Sequence, residues 1–401
     1  MNVILFDSDD RKHLLPLTAT RPVGELRVGI LTLREKWERY LQASVSYITQ
    51  SYLQDKYPIH IASENYVINA GILPTPQLCR EIAALGLSEA LIHQDELIAA
   101  RLNEGQFEQL IRDEVGSLKG IALRDPDQLI SVRRLWELTR LNDRCIREDF
   151  ALLTGGRHSE PVAPGNRIIG NPEHVFLEPG VRMECCILNV KDGPIYIGKN
   201  AEVMEGSILR GPVAIGTDAI IKMGARVYGP TSIGPGCRAG GEITRSILMS
   251  FSNKAHEGYL GDSVLGEWCN LGADTNTSNL KNNYSEVKLW DYETQKFEKT
   301  GMQFCGLFMG DHSKCGINTM FNTGTVVGVF ANVYGAGYPR NFVPDFSWGG
   351  AEGGYRTYRP ADAFATAEAV FQRRQRLFTD WDRHILQTIF EETAPLRGWE
   401  R

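Results

Sequence analysis

From Ile197 onward an aliphatic residue recurs at every sixth position: Ile197, Val203, Leu209, Ile215, Ile221, Val227, Ile233 and Ala239. Gly198, Gly216 and Gly234 each follow one of these and stand 18 apart. Neither the 3.6 period of a helix nor the 2.0 period of a simple strand selects every sixth residue. Three short strands per turn of a triangular coil do, with one aliphatic side chain per strand turned inward. Each coil buries its inward row only against its neighbours, so several must stack. The pattern is that of a hexapeptide-repeat parallel β-helix. The same six-residue step returns at Met309, Cys315, Phe321, Val327 and Val333, and Tyr259, Leu265 and Leu271 keep the step between the runs. Polar residues 279–303, with Asn282, Asn283, Tyr284 and Trp290, predict a loop projecting from the coil. A sandwich of short strands has no reason to hold a six-residue phase.

The flanks follow other periods. Val3, Ile4, Leu5 and Phe6 predict a first buried strand, followed by a polar turn from Asp7 to Arg11. Residues 31–41 predict an amphipathic helix. Tyr66, Val67 and Ile68 predict a second strand, and Thr75 a helix cap with Pro76 in the first position. Residues 136–150 predict another helix. Strands alternating with helices argue for an α/β domain over residues 1–155, with a Gly- and Pro-rich link near 155–165. The β-helix is assigned to 156–345 and a helical tail to 346–401. In the tail, Phe364, Ala367, Phe371, Leu377, Trp381, Ile385 and Ile389 predict one apolar helical stripe, read as core or subunit contact.

Charge and composition narrow the function. Lys plus Arg number 43 and Asp plus Glu 49, a net of −6, which gives no electrostatic reason to expect nucleic acid or an anionic membrane as partner. Residues 315–339 lack charge, but Asn318, Asn322, Asn332 and several glycines interrupt them, so soluble β structure is expected there rather than a transmembrane helix. The start shows no basic segment and only four apolar residues before Asp7. The eight cysteines include no CxxC pair. Reduced thiols and a cytoplasmic location are therefore expected. The eight histidines contain no closely spaced pair, so a three-histidine zinc site is not expected and no metal ligand is assigned.

One stretch carries more specific information. Residues 242–279 contain His256, then Tyr259-Leu260-Gly261-Asp262, then Asn270-Leu271-Gly272-Ala273-Asp274-Thr275, and Asn279. With an α/β domain preceding the β-helix, this resembles the bifunctional enzymes that acetylate glucosamine 1-phosphate and then uridylylate it. The resemblance implies a left-handed coil, a homotrimer with acyl-transfer sites between copies, and acyl-CoA, acetyl-CoA above all, as co-substrate. It implies His256 as general base, Arg226 and neighbouring Arg245 as phosphate ligands, and Tyr259 and Asn270 as sugar contacts. It places Ala273 and Asn279 along the CoA groove. Thr244 stands where the family has a lysine. The chemistry is coherent: a neutral imidazole suits removal of a proton from the acceptor, and a backbone amide near Ala273 suits the oxyanion.

The first domain departs from the same family. Its Gly-rich phosphate loop is replaced by Asp7-Ser8-Asp9-Asp10-Arg11-Lys12, and its metal-binding Gly-Asp by Asn69-Ala70-Gly71. Arg11, Lys12 and Arg21 are the cations left to hold a phosphate, and Mg²⁺ stays open as a cofactor of this domain although its expected carboxylate is missing. Three readings stay open: an acyl-CoA-dependent transferase acting on a sugar phosphate or nucleotide sugar; an active sugar-1-phosphate nucleotidyltransferase whose β-helix serves assembly; and a non-catalytic scaffold.

Overall fold

A computed structural model describes residues 1–111 and 118–400. The chain divides into two units, the first comprising Met1–Leu14, Thr20–Leu26 and Leu31–Arg134, the second Leu15–Ala19, Arg27–Ile30 and the chain from Leu135 onward. The long helix Leu135–Thr154 thus falls with the second unit, not with the α/β region to which the sequence pattern assigns it. Its buried polar residues show why. Asn142 accepts from Gly29 N (2.7 Å) and from Ser232 Oγ (3.0 Å), and Asp149 accepts from Ile30 N (2.8 Å).

The first unit is built on a six-stranded sheet of β1 (Asn2–Phe6), β2 (Val45–Ile48), β3 (Glu64–Asn69), β4 (Glu89–His93), β5 (Glu96–Asn103) and β6 (Lys119–Ala122), in the order β2-β1-β3-β5-β4-β6. β2, β1 and β3 run parallel, while β5 is antiparallel to β3 and β4. Central β1 has Val3, Ile4 and Leu5 fully buried, as a parallel strand covered on both faces requires. The strand at Tyr66–Ile68 is therefore third in the chain. The second, Val45–Ile48, is four residues with Ser46 inside it, too little apolar pattern to announce a strand. Thr75 caps its helix through Leu78 N (3.1 Å) with Pro76 in the first turn. The helix expected over 31–41 begins at Leu33, because Thr32 forms a capping box with Glu35.

The second unit is a parallel β-solenoid with three faces. The first face stacks the strands beginning at Arg167, Ile187, Ile208, Arg226, Glu242 and Tyr259. The second runs from Val175–Leu177 to Phe342–Val343, and the third from Arg182–Met183 to Gly354–Thr357. Ile197, Val203, Leu209, Ile215, Ile221, Val227 and Ile233 are all at most 1% exposed and share one core. The later run from Met309 to Val333 joins the same core.

The six-step fails in the middle. Register advances 18 residues from Ile208 to Arg226, but 16 from Arg226 to Glu242 and 17 from Glu242 to Tyr259. After these shorter coils the inward residues Leu260 and Leu265 stand five apart, so a six-residue step back from Leu265 falls on Tyr259, which is only half-buried while Leu260 points inward, contrary to the sequence pattern. The interruption at 279–303 is more than a loop. It holds the antiparallel hairpin Lys288–Asp291/Lys296–Lys299, with Trp290 stacked on Phe342 (4.4 Å) and Tyr292 Oη donating to Asp345 (3.0 Å).

The solenoid sheet continues past residue 345 through Ser347–Gly350 and Gly354–Thr357. The tail helix is two helices, Pro360–Arg373 and Asp380–Glu392, the second opened by a capping box at Thr379. Leu377 lies in the link and is 80% exposed, and Trp381 is 53% exposed, so neither belongs to the expected stripe. Among the described residues no helix is long and apolar enough to cross a membrane. Residues 315–339 form short strands instead.

Candidate active site

The shortened coils gather polar groups on the first face. Arg226–Tyr228, Glu242–Thr244 and Tyr259–Gly261 lie side by side, with Arg226 opposite Glu242 and Glu242 opposite Tyr259. Their middle residues, Val227, Ile243 and Leu260, are buried in the core. That alternation turns the flanking side chains outward. The Tyr259 ring crosses Gly261, where a Cβ would strike the phenol and come within 2.8 Å of Asn279 Nδ2. Tyr228 Oη donates to Glu242, and burial with that carboxylate pushes the Tyr228 phenol up to about 12.

Arg245 and Asp262 occupy equivalent corners of successive coils, both in the left-handed backbone region (φ 45° and 48°). Arg245 grips Asp262 through two parallel bonds, Nε to Oδ1 (2.7 Å) and Nη2 to Oδ2 (2.8 Å). The Asp262 side chain is 5% exposed and the Arg245 side chain 37%. Asn279 Nδ2 donates both to Asp262 Oδ2 (2.5 Å) and to Tyr259 Oη (3.0 Å). Phe304, from the end of the insertion, lies 5.1 Å from the guanidinium. The bond to Asp262 raises the Arg245 pKa, and burial raises that of Tyr259. Fixed through Nε and Nη2, the guanidinium keeps Nη1 for a ligand; such a planar fork suits a phosphate. Thr244 Oγ1 is buried beside this network without a partner.

The neighbouring corner carries His256. Its side chain is exposed and makes no hydrogen bond among the described residues. Beneath it stands Lys254, 1% exposed, on the inward column between Ala239 and Leu271. Its ammonium donates to Gly240 O (3.1 Å), Glu257 O (3.3 Å) and His256 O. Burial lowers its pKa to about 8. Arg226 pairs with Glu257 at the same corner (2.9 Å) and approaches Glu242 (4.0 Å). One coil further, Asp274 N donates to Glu257 O (2.9 Å) and Asn318 N to Ala273 O (2.8 Å).

Of the residues expected to form a site, Arg245, Tyr259 and Asn279 are thus joined in one network. Arg226, His256 and Ala273 share the adjoining corner. Asn270 does not join them. It sits on the third face opposite Asn253 and accepts from Asn253 Nδ2 (3.3 Å). Lys254, Glu257 and Phe304 lie beyond the sequence reading. Lys254 stands 15 residues after its inward neighbour Ala239, so a six-residue step does not land on it.

In the first unit, Arg11 and Arg21 are buried, not displayed to solvent as phosphate ligands would be. Arg11 pairs with Asp7 (3.5 Å) and donates to Tyr52 Oη (2.8 Å). Lys12 is exposed near Asp9 (3.9 Å). Asp7 accepts from Val23 N (2.8 Å) and Thr49 Oγ1 (2.6 Å), and its burial raises its pKa. A cleft of about 470 Å³ opens at the carboxyl ends of β1 and β3, lined by Asp9, Asp10, Asp95, Glu96 and Arg133. That is where open α/β sheets hold ligands. Asp10 and Glu96 are paired with Arg133, and Asn69 Nδ2 donates to Glu96 (2.9 Å). Among the described residues no three His, Cys, Asp or Glu side chains gather as a metal ion would need. With an amide at Asn69, and with Asp10 and Glu96 engaged by Arg133, the carboxylate expected to hold Mg²⁺ is not in place.

Residues 3–158 match the family model described as sugar nucleotidyl transferase. The chain is 36% identical over 93 residues to the bifunctional sugar-1-phosphate nucleotidylyltransferase/acetyltransferase of Sulfurisphaera tokodaii, a match covering 23% of each chain. It is 37% identical over 87 residues to the bifunctional protein GlmU of Methanocaldococcus jannaschii, covering 22% of this chain and 21% of that one. The matched segment thus spans less than a quarter of these relatives. A solved structure of the polySia-specific acetyltransferase NeuO aligns at 12% identity and a TM-score of 0.26, covering 48% of this chain and 82% of that one.

Proposed function

We propose that the protein is an acyltransferase of sugar-nucleotide metabolism, moving an acyl group from acyl-CoA, acetyl-CoA above all, to a sugar phosphate or nucleotide sugar. The observation that carries this reading is the Arg245–Asp262–Asn279–Tyr259 network beside the His256 corner. It offers an oriented cation, a phenol and an unencumbered imidazole on a rigid coil. His256 takes the proton from the acceptor amine or hydroxyl. The freed lone pair attacks the thioester carbonyl, an N–C or O–C bond forms, and the C–S bond breaks as CoA leaves with a proton. The Ala273 amide, one coil away, supplies a hydrogen-bond donor toward the oxyanion or the CoA chain. Arg226 and Arg245 hold the acceptor phosphate, and Tyr259 the sugar. A homotrimer with sites between copies would give Asn270, on the third face, a route to the acceptor that it lacks within one chain. Incubating the protein with acetyl-CoA and a panel of amino-sugar and sugar 1-phosphates, with release of free thiol as the readout, tests this. Acceptor-dependent thiol release supports the reading; none with any acceptor refutes it.

The first unit, by this reading, is a nucleotidyltransferase relative with weakened chemistry. The 3₁₀ helix Asp9–Leu14 stands in place of a Gly-rich phosphate loop, and the cations there are engaged. Pyrophosphate release from UTP or dTTP with Mg²⁺ and a sugar 1-phosphate is expected to be weak or absent. Turnover at a rate ordinary for such enzymes would favour the alternative, an active nucleotidyltransferase with the solenoid as an assembly module.

A further inference from the structure

The late coils of the solenoid carry a second cavity of about 720 Å³ that shares no lining residue with the site above. Aromatic rings from Tyr338, Phe342, Tyr355 and Trp399 line it, together with Arg340 and the glycine turn at Gly353 and Gly354. Among the described residues its walls include no carboxylate. Tyr355 and Trp399 pack against each other, their ring centroids 5.8 Å apart and tilted by 32°. Phe342 is held in place by Trp290, stacked against it.

Two polar groups here have no use within the fold. Tyr355 Oη is buried with no hydrogen-bond partner among the described residues, a standing cost to the fold. Arg340 is exposed and makes no ion pair or hydrogen bond among the described residues. It lies close enough to Tyr355 to favour the ionised phenol, although burial still pushes that group up to about 12. Gly353 and Gly354 have φ of 86° and 73° and open space where a Cβ would stand, so a ligand can approach the backbone closely.

We propose that this cavity binds a nucleoside diphosphate, its base stacked on Trp399 and Tyr355 and its phosphates on Arg340. Flat rings on several sides suit a planar base, and base–aromatic stacking tolerates different bases. A guanidinium with no ion pair among the described residues selects an anion, and its fork matches phosphate. The volume falls within the ~300–1,000 Å³ range of small-molecule sites. The same group occurs free and as the nucleotide end of coenzyme A, so both sources are tested.

The full chain is titrated with ADP, UDP, coenzyme A and inorganic pyrophosphate by calorimetry and tryptophan fluorescence. At least one nucleotide is expected to bind with a Kd below about 1 mM. Pyrophosphate should bind roughly tenfold more weakly, because it lacks the stacked base. Preference for ADP and coenzyme A over UDP would assign the nucleotide end of the larger molecule; equal binding of UDP would assign a free nucleotide. Arg340→Ala, at an exposed position, should weaken nucleotide binding about tenfold, the scale of one charge-assisted contact. Trp399→Phe should abolish the fluorescence change. His256→Ala should leave nucleotide binding unaltered, so failure here and failure of the acyl-transfer reading are separable. No heat with any nucleotide, or Arg340→Ala binding like the parent, overturns the proposal.

Discussion

The coils before residue 240 and those after it are built on the same triangular plan, yet they differ in every feature that bears on chemistry. From Ile195 to Ile233 the register advances by 18 residues and the inner column is aliphatic. One corner column there uses Asn200, Asp218 and Gly236 at φ of 57°, 56° and 65°, residue types that tolerate the left-handed region. In the later coils the step shortens to 15–17 residues between Arg226 and Leu265 before returning to 18 at Leu307, Lys254 enters the inner column, and the same corner is taken by Phe251, Trp268, His312, Phe330 and Phe346, at φ between 54° and 62°. These rings form a ladder, with Phe251 and Trp268 4.3 Å apart and His312 and Phe330 4.6 Å apart, and Phe371 of the first tail helix 4.1 Å from Trp268. Bulky residues in that backbone region cost on the order of 1–3 kcal/mol each, and stacking offsets the strain. Regular coils set height and spacing, and departures from regularity place the functional groups.

The sharpest way to break this contrast is to substitute equivalent corners. Trp268→Ala removes the centre of the ladder while leaving a Cβ in the left-handed region, and should destabilise the protein by ~3–5 kcal/mol in denaturant melts. Asp218→Gly, at the corresponding corner of a regular coil, should change stability by less than ~1 kcal/mol. Equal costs would mean that the two halves do not differ in the way described.

Ion pairs give a second contrast. Asp262→Asn strands a half-buried Arg245 and should cost ~1–3 kcal/mol. Asp192→Asn breaks the exposed Arg210–Asp192 pair (2.6 Å) and should cost ~0–1 kcal/mol. Arg226→Ala should scarcely change stability but should raise KM for the acceptor about tenfold with kcat little altered, since a phosphate clamp holds ground and transition states alike.

Lys254 supplies a smaller, pH-dependent effect. Its pKa is lowered by burial to about 8, against ~10.4 in an unfolded chain. Between those values the unfolded chain binds more protons, so this group makes stability rise with pH from about 8 toward ~10.4. Lys314, partly buried and with its pKa lowered by desolvation to about 8, acts in the same direction. Thermal melts of the parent and of Lys254→Met across that window should diverge by the Lys254 share. Identical pH slopes would show that the lysine is not buried as described.

How much of this was legible in the sequence follows from the same contrast. Where the six-step holds, the inward residues from Ile197 to Ile233 could be named one by one, because each aliphatic position has a single place to go. Where coils lose one or two residues, the step misplaces Tyr259 by one position, since nothing local records a shortened corner. Arg245, Tyr259 and Asn279 were legible through a resemblance, not through periodicity. The displacement of Asn270 to another face was not, because spacing along the chain does not state which face a strand occupies. Glu257 and Phe304 gave no sign: they reach the site through folding of a corner and of an insertion.

The central claim is that His256, exposed on a corner that Lys254 holds from within, is the base for acyl transfer. It is tested most directly by comparing kcat for thiol release by His256→Ala and by the parent, with their melting temperatures, on an acceptor that the parent acylates. The account expects equal melting temperatures, little change in affinity for CoA, and a kcat lower by ~10²–10⁴, the usual cost of losing a positioned base. A folded His256→Ala protein with full kcat would contradict it.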